Sequence, residues 1–157
     1  MACDATARLY DVDEDSVVFK RLRKTEKYDQ ATVTFRARKG KLIDLDKLHE
    51  SIWATRLSGG TRSGIVGLEV TTVGRIVRNS GETVLRVSDS NAEFVLQKHS
   101  EDKHAKAFGS LQTLSADGHL VRVTGLIDNY VGRWPALLKK QPANPRRILV
   151  TKVQVED

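Results

Sequence analysis

Hydrophobic and polar residues alternate most cleanly in two stretches. From Ala31 to Arg38, Ala31, Val33, Phe35 and Ala37 alternate with Thr32, Thr34, Arg36 and Arg38, which predicts a strand with one buried and one wet face. From Leu68 to Val77, Leu68, Val70, Thr72 and Ile76 share one face, and Glu69, Thr71, Val73, Arg75 and Val77 the other. Gly74 lies inside this second strand, where a glycine marks a bulge or bend with no room for a side chain. A long strand bent there can pair in two directions, as the first strand of a small closed barrel must.

Between these strands the period lengthens to that of a helix. Leu45, Leu48, Ile52 and Trp53 form its apolar stripe, Asp44 is placed to cap it, and Asp46 suits the positive end of its dipole. Ser58-Gly59-Gly60 is expected to end it, and Gly64 and Gly67 loosen the connection into the long strand.

Beyond Leu68 the pattern is mainly β. Asn79-Ser80-Gly81 signals a turn into Thr83–Val87, and Ser88–Asn91 a turn into Ala92–Gln97. Ser100 is expected to cap a helix reaching about Leu114, with Ala107, Leu111 and Leu114 on one side and a break expected at Gly109. His119–Asn129 reads as a strand interrupted by Gly125. A long loop holding Pro135, Pro142 and Pro145 precedes a final strand, Ile148–Val155.

Residues 1–30 are a charged segment. Asp11, Asp13, Glu14 and Asp15 precede Lys20, Arg21, Arg23, Lys24 and Lys27, a solvated pattern in which Val17-Val18-Phe19 is the one run able to form an edge strand. Three regions follow: 1–30, the charged segment; 31–67, a strand–helix unit with its glycine-rich connection; and 68–157, a β-rich region. The fold class is α+β.

Two resemblances sharpen this. Val73-Gly74-Arg75-Ile76-Val77 and Val121-Arg122-Val123-Thr124-Gly125-Leu126-Ile127, set in an order of three strands, a helix and two strands, resemble the OB fold. That likeness implies a five-stranded β-barrel with one helix over 68–157. The stretch VTFRARKGKLIDLDKLHESI, with the strand after it, resembles half of a heavy-metal-associated domain. It implies a strand–helix–strand unit over 31–77, joined to the barrel through the long bent strand. That family's metal loop, with two cysteines two residues apart, has no counterpart here.

Composition narrows the chemistry. The 157 residues carry a net charge of +6, which favours anionic partners without choosing one. Cys3 is the single cysteine, so neither an intramolecular disulfide nor a cysteine-built zinc cluster can form. No apolar run reaches the roughly 20 residues of a membrane helix. The Met-Ala-Cys-Asp start has no charged-then-apolar leader and reads as a free cysteine on a loose terminus; Ala2-Cys3 would also suit a lipoprotein cleavage site whose leader is missing. The compartment is therefore left open between cytoplasmic and exported.

No nucleophile elbow, phosphate-cradling glycine loop or zinc-protease helix is present, so no enzyme is expected and no cofactor is implied. His49 has no second ligand four residues on. His99 and His104 stand five apart, and on a helix that spacing puts them on different faces, so no metal site is expected. The most suggestive segment is Asp128–Arg147. There Arg133, Lys139, Lys140, Arg146 and Arg147 interleave with Tyr130 and Trp134, cations that track phosphates beside aromatics that stack on bases. On an OB barrel this is the loop between strands four and five, flanking the ligand face with Arg75 nearby. The bland alternative is that Trp134, Leu137 and Leu138 plug the barrel mouth while the cations stay solvated. Two functions follow: a non-enzymatic module for single-stranded nucleic acid or another polyanion, or an exported scaffold that binds a protein or small ligand without a metal.

Overall fold

The computed structural model describes residues 6, 9, 11–24, 29–56, 60, 63–88, 90–114, 119–128 and 146–156. The chain forms two compact units, Met1–Ile65 and Val66–Asp157. The architecture is α+β, with a two-stranded sheet in the first unit and a five-stranded sheet in the second.

In the first unit β1 (Val12–Lys24) and β2 (Asp29–Ala37) form an antiparallel pair. The charged segment is thus a strand of 13 residues rather than a short edge around Val17–Phe19. Its charges are answered across the ladder: Arg36 meets Asp13 and Arg38 meets Glu14, each at 3.4 Å. Such exposed pairs add little stability but fix register. The ladder slips between Asp13 and Val18 and again between Arg21 and Arg23. At the first slip Ser16 bridges the gap, its hydroxyl donating to the Asp13 carbonyl and accepting from the Arg36 N–H.

Helix α1 (Leu45–Ala54) starts where the sequence places it. The Asp44 carboxylate accepts from the N–H groups of Asp46 and Lys47 at 3.0 and 3.1 Å, satisfying two donors that the first turn leaves open. Leu48 and Ile52 are buried, and Leu45 and Trp53 half-buried. The helix stops sooner than Ser58, at a Thr55 cap whose hydroxyl donates back to the Ser51 carbonyl. Although β2 leads into α1, it shares no sheet with the strand at 69: its partner is β1, and the later strand has both edges occupied elsewhere. The strand–helix–strand unit over 31–77 is therefore not formed. The hairpin partner is nearer along the chain and costs less loop entropy.

The second unit is built from β3 (Glu69–Asn79), β4 (Glu82–Val87), β5 (Glu93–Lys98), α2 (Ala105–Thr113), β6 (Leu120–Ile127) and β7 (Arg146–Val155). The sheet runs β3-β4-β5-β7-β6 and closes on itself, because β3 also pairs with β6. All neighbours are antiparallel except β5 and β7, which the α2–β6 crossover makes parallel. Ile76, Leu85, Leu96, Val121, Val123, Ile148 and Val150 fill the interior, and Leu111 brings α2 into it.

Gly74 is where closure happens. It pairs with Val87 of β4 on one side and Val121 of β6 on the other. A Cβ there would lie 2.3 Å from the Arg86 carbonyl oxygen, so only glycine lets the two backbones approach this closely. Gly125 repeats the device against the Leu149 carbonyl, next to a register shift at Thr124. The β3–β4 turn has positive φ at both central residues, Ser80 (48°) and Gly81 (85°), as a two-residue hairpin of matching twist requires.

Two expectations for the helix fail. A single 3-10 turn, Asp102–His104, precedes α2, and no side chain caps either, so Ser100 does not serve. The helix also runs unbroken through Gly109. Arg78 anchors its far end, donating to Thr83 Oγ1 at 2.7 Å and to the carbonyls of Leu111 and Gln112 at 2.9 and 3.2 Å. A cation at those last carbonyls also suits the negative end of the helix dipole.

Candidate ligand-binding surface

Side chains of the closed sheet alternate between interior and exterior. On the outside, Arg75 of β3 stands directly across from Arg86 of β4. On the other flank Arg75 pairs with Leu120, which puts Arg122 of β6 diagonal to it. Further along β6, Thr124 faces Lys152 of β7 and Thr71 of β3, and the two threonine hydroxyls share a hydrogen bond of 2.9 Å. Arg75, Arg86, Arg122 and Lys152 are all exposed. Four adjoining strands thus carry a strip of cations broken by small hydroxyl side chains.

Carboxylates balance part of the strip. Arg86 donates to Glu93 through Nε and Nη2 at 3.0 and 2.9 Å. Arg122 lies 3.1 Å from Glu156. Both arginines remain largely in solvent, at 59% and 46% exposure, so each can trade its carboxylate for a phosphate at modest cost.

Arg146 and Arg147 belong to β7 and not to the preceding loop, because pairing with Phe94 and Val95 of β5 begins at these two residues. As strand neighbours they point to opposite faces, so they do not act as a pair. Arg147 is exposed, whereas Arg146 is half-buried. Only β6 separates β3 from β7, but Arg75 lies beside Leu120 at the start of β6 and Arg147 beside Asp128, past its end, so the two are far apart along the strands. Tyr130, Arg133, Trp134, Lys139 and Lys140 lie outside the described residues, as does Cys3.

The sequence singles out Arg75 but not Arg86, Arg122 and Lys152, which the sheet places beside it. The signal was present for Arg122, which alternates with the buried Val121 and Val123, but Lys152 has the parity of the buried Ile148 and Val150 and reaches the outside only through the register shift beside Thr124. What the sequence does not show is which strands lie side by side. An open hollow of about 440 Å³ also lies at one end of the sheet, bordered by Arg78, Glu82, Lys98, Phe108 and Gln112. Arg78 is already engaged there in holding α2.

The histidines are placed differently from the helical expectation. His99 follows the last residue of β5, and the chain turns before His104, so the two rings meet with centroids 4.7 Å apart in edge-to-face geometry. His49 is buried on α1 and stacks on Trp53 at 6.4 Å. Burial lowers its pKa, opposed by the negative charges of Asp46 and Glu50. Glu101 is held below the usual carboxylate range by its hydrogen bond to Lys103, the charge of Lys103, and weaker contributions from His99 and His104.

Comparison of the chain with protein-family models, with curated proteins and with solved structures finds no match. Among the described residues no helix is long and apolar enough to cross a membrane.

Proposed function

We propose that this chain is a non-enzymatic binding module of OB type whose ligand is a polyanion, with single-stranded nucleic acid the leading candidate. The observation that carries the reading is the cation strip centred on Arg75, with Arg86 across the ladder and Arg122 on the diagonal. A sheet order in which the first strand pairs with both the second and the fourth, and the third runs parallel to the fifth, supports the OB comparison. Phosphates would take the arginines in exchange for Glu93 and Glu156. Tyr130 and Trp134 would supply stacking, and Arg133, Lys139 and Lys140 further phosphate contacts, from the segment before β7.

The test is fluorescence anisotropy of a labelled single-stranded oligonucleotide at two salt concentrations. Each lost phosphate contact lowers the logarithmic salt slope by about 0.7, so Arg75→Ala with Arg122→Ala should flatten it by about 1.4. Lys139→Ala with Lys140→Ala should do the same, whereas Trp134→Ala should weaken binding at nearly constant slope. Absence of binding at low salt sinks the reading.

One observation favours the scaffold alternative. Val18, Phe19 and Leu22 on β1 are 59%, 50% and 59% exposed, on a strand paired with β2 alone among the described strands. An open edge with apolar side chains suits addition of a partner's strand. A chain that ignores oligonucleotides would leave that reading in place.

A further inference from the structure

We propose that His99, Glu101 and His104 form a binding site for a divalent transition-metal ion of the zinc class. The three residues occupy the junction between β5 and α2, and one donor atom from each lies within 4.8 Å of the other two. Two imidazoles and one carboxylate are a donor set that selects zinc, nickel, copper or cobalt over magnesium or calcium, which take oxygen ligands. The site is independent of the cation strip and of its ligand.

The junction supplies the geometry. His99 directly follows β5 and is only 7% exposed, so its ring has little freedom to move. The chain then reverses, and the 3-10 turn at Asp102–His104 returns the second imidazole to the first. Glu101 precedes that turn with its side chain in solvent. A fixed buried histidine, a half-buried histidine and an exposed carboxylate allow closure from one direction. Donors around a zinc ion with bonds of about 2.1 Å stand about 3.4 Å apart, so Glu101 and His104 would move inward by roughly 1 Å. Both are free of the packing that fixes His99.

Two present interactions would be exchanged for the metal. Glu101 leaves its exposed ion pair with Lys103, a bond of small net value. The Glu101 N–H, which now donates to His99 Nδ1 at 3.0 Å, also has to let go. While that bond stands, Nδ1 has no lone pair to spare and Nε2 carries the ring proton. Coordination through Nδ1 displaces the amide directly, and coordination through Nε2 needs a proton on Nδ1 that the amide would oppose. Metal binding at this site is therefore marked by loss of the Glu101 amide hydrogen bond, which adventitious binding to a surface histidine would not cause. Three protein donors leave a coordination position for water or for a ligand atom.

Zinc titration of the whole chain, followed by calorimetry and by amide NMR, tests the site. One equivalent should bind and shift the Glu101 amide resonance. Loss of a ligand should cost at least the roughly 10–100-fold seen when a mere supporting partner of a metal ligand is removed. His104→Ala and Glu101→Gln should each do so, and both change residues outside the core. His119→Ala, at an exposed histidine elsewhere, and Cys3→Ser should leave the affinity unchanged. Failure of zinc to bind, equal binding by His104→Ala and the parent, or loss of binding in His119→Ala or Cys3→Ser overturns the proposal.

Discussion

Gly74→Ala tests the closure of the sheet with a single methyl group. The added Cβ would sit 2.3 Å from the Arg86 carbonyl oxygen, 2.8 Å from its carbon and 3.1 Å from Leu85 Cγ. Carbon needs about 3.5 Å of separation, so β3 and β4 would have to part by about 1 Å. The nearest obstacle is backbone and cannot swing aside as a side-chain tip would. β3 cannot retreat either, because Gly74 is also paired with Val121 on its other edge. Overpacking of this kind costs about 1–3 kcal/mol, and each ladder hydrogen bond broken adds about 1 kcal/mol. The gain from a less flexible unfolded chain returns only about 0.4–1 kcal/mol. A net loss of about 3 kcal/mol is expected, a fall in Tm of the order of 10 °C or more for a unit of this size. Gly67→Ala is the control: a Cβ there meets nothing within 4 Å, so its effect should stay within about 0.5 kcal/mol. Urea and thermal unfolding of the three proteins measure both. If Gly74→Ala unfolds within 0.5 kcal/mol of the parent, the two-sided pairing at this residue is wrong.

Two further outcomes concern the first unit. Leu48 on α1 is 1% exposed, so Leu48→Ala should cost about 2–5 kcal/mol, against about 0.5 kcal/mol or less for the exposed Lys47→Ala; equal denaturant midpoints would show that the helix buries no stripe. His49 has a folded pKa below its ordinary value because burial disfavours the imidazolium. Between the two pKa values the unfolded chain binds the extra proton, so the stability His49 contributes is complete above about pH 6.5 and declines as the pH falls below it. A stability profile from pH 7.5 to 5 should show that decline in the parent and a shallower one in His49→Gln; identical slopes would mean that the histidine is not the titrating group.

Much of the fold was legible because it depends on neighbours in sequence. Alternation over 31–38 and 68–77 marked strands, since side chains two apart must share a face whatever the strand pairs with. Asp44 could be read as a cap because its carboxylate needs only the amides two and three residues on. The glycine at 74 announced a close approach, and Asn79-Ser80-Gly81 marked the turn that the structure builds with positive φ at Ser80 and Gly81.

Proximity between distant segments was not legible. Nothing local says that β2 takes β1 as its partner, so residues 12–24 looked like a solvated charge pattern. Asp13 and Glu14 among them are answered by Arg36 and Arg38, over twenty residues away. The same limit hid the cation strip: Arg75, Arg86 and Arg122 are unrelated in sequence and become neighbours only when β4 and β6 flank β3. Helical spacing would set His99 and His104 on different faces, yet a strand end and a reversing turn bring the rings together. Local patterns encode which face a residue takes, because that depends on the period of its own backbone. Which faces meet is decided by long-range pairing, and at Gly74 by a backbone contact that only the assembled sheet creates.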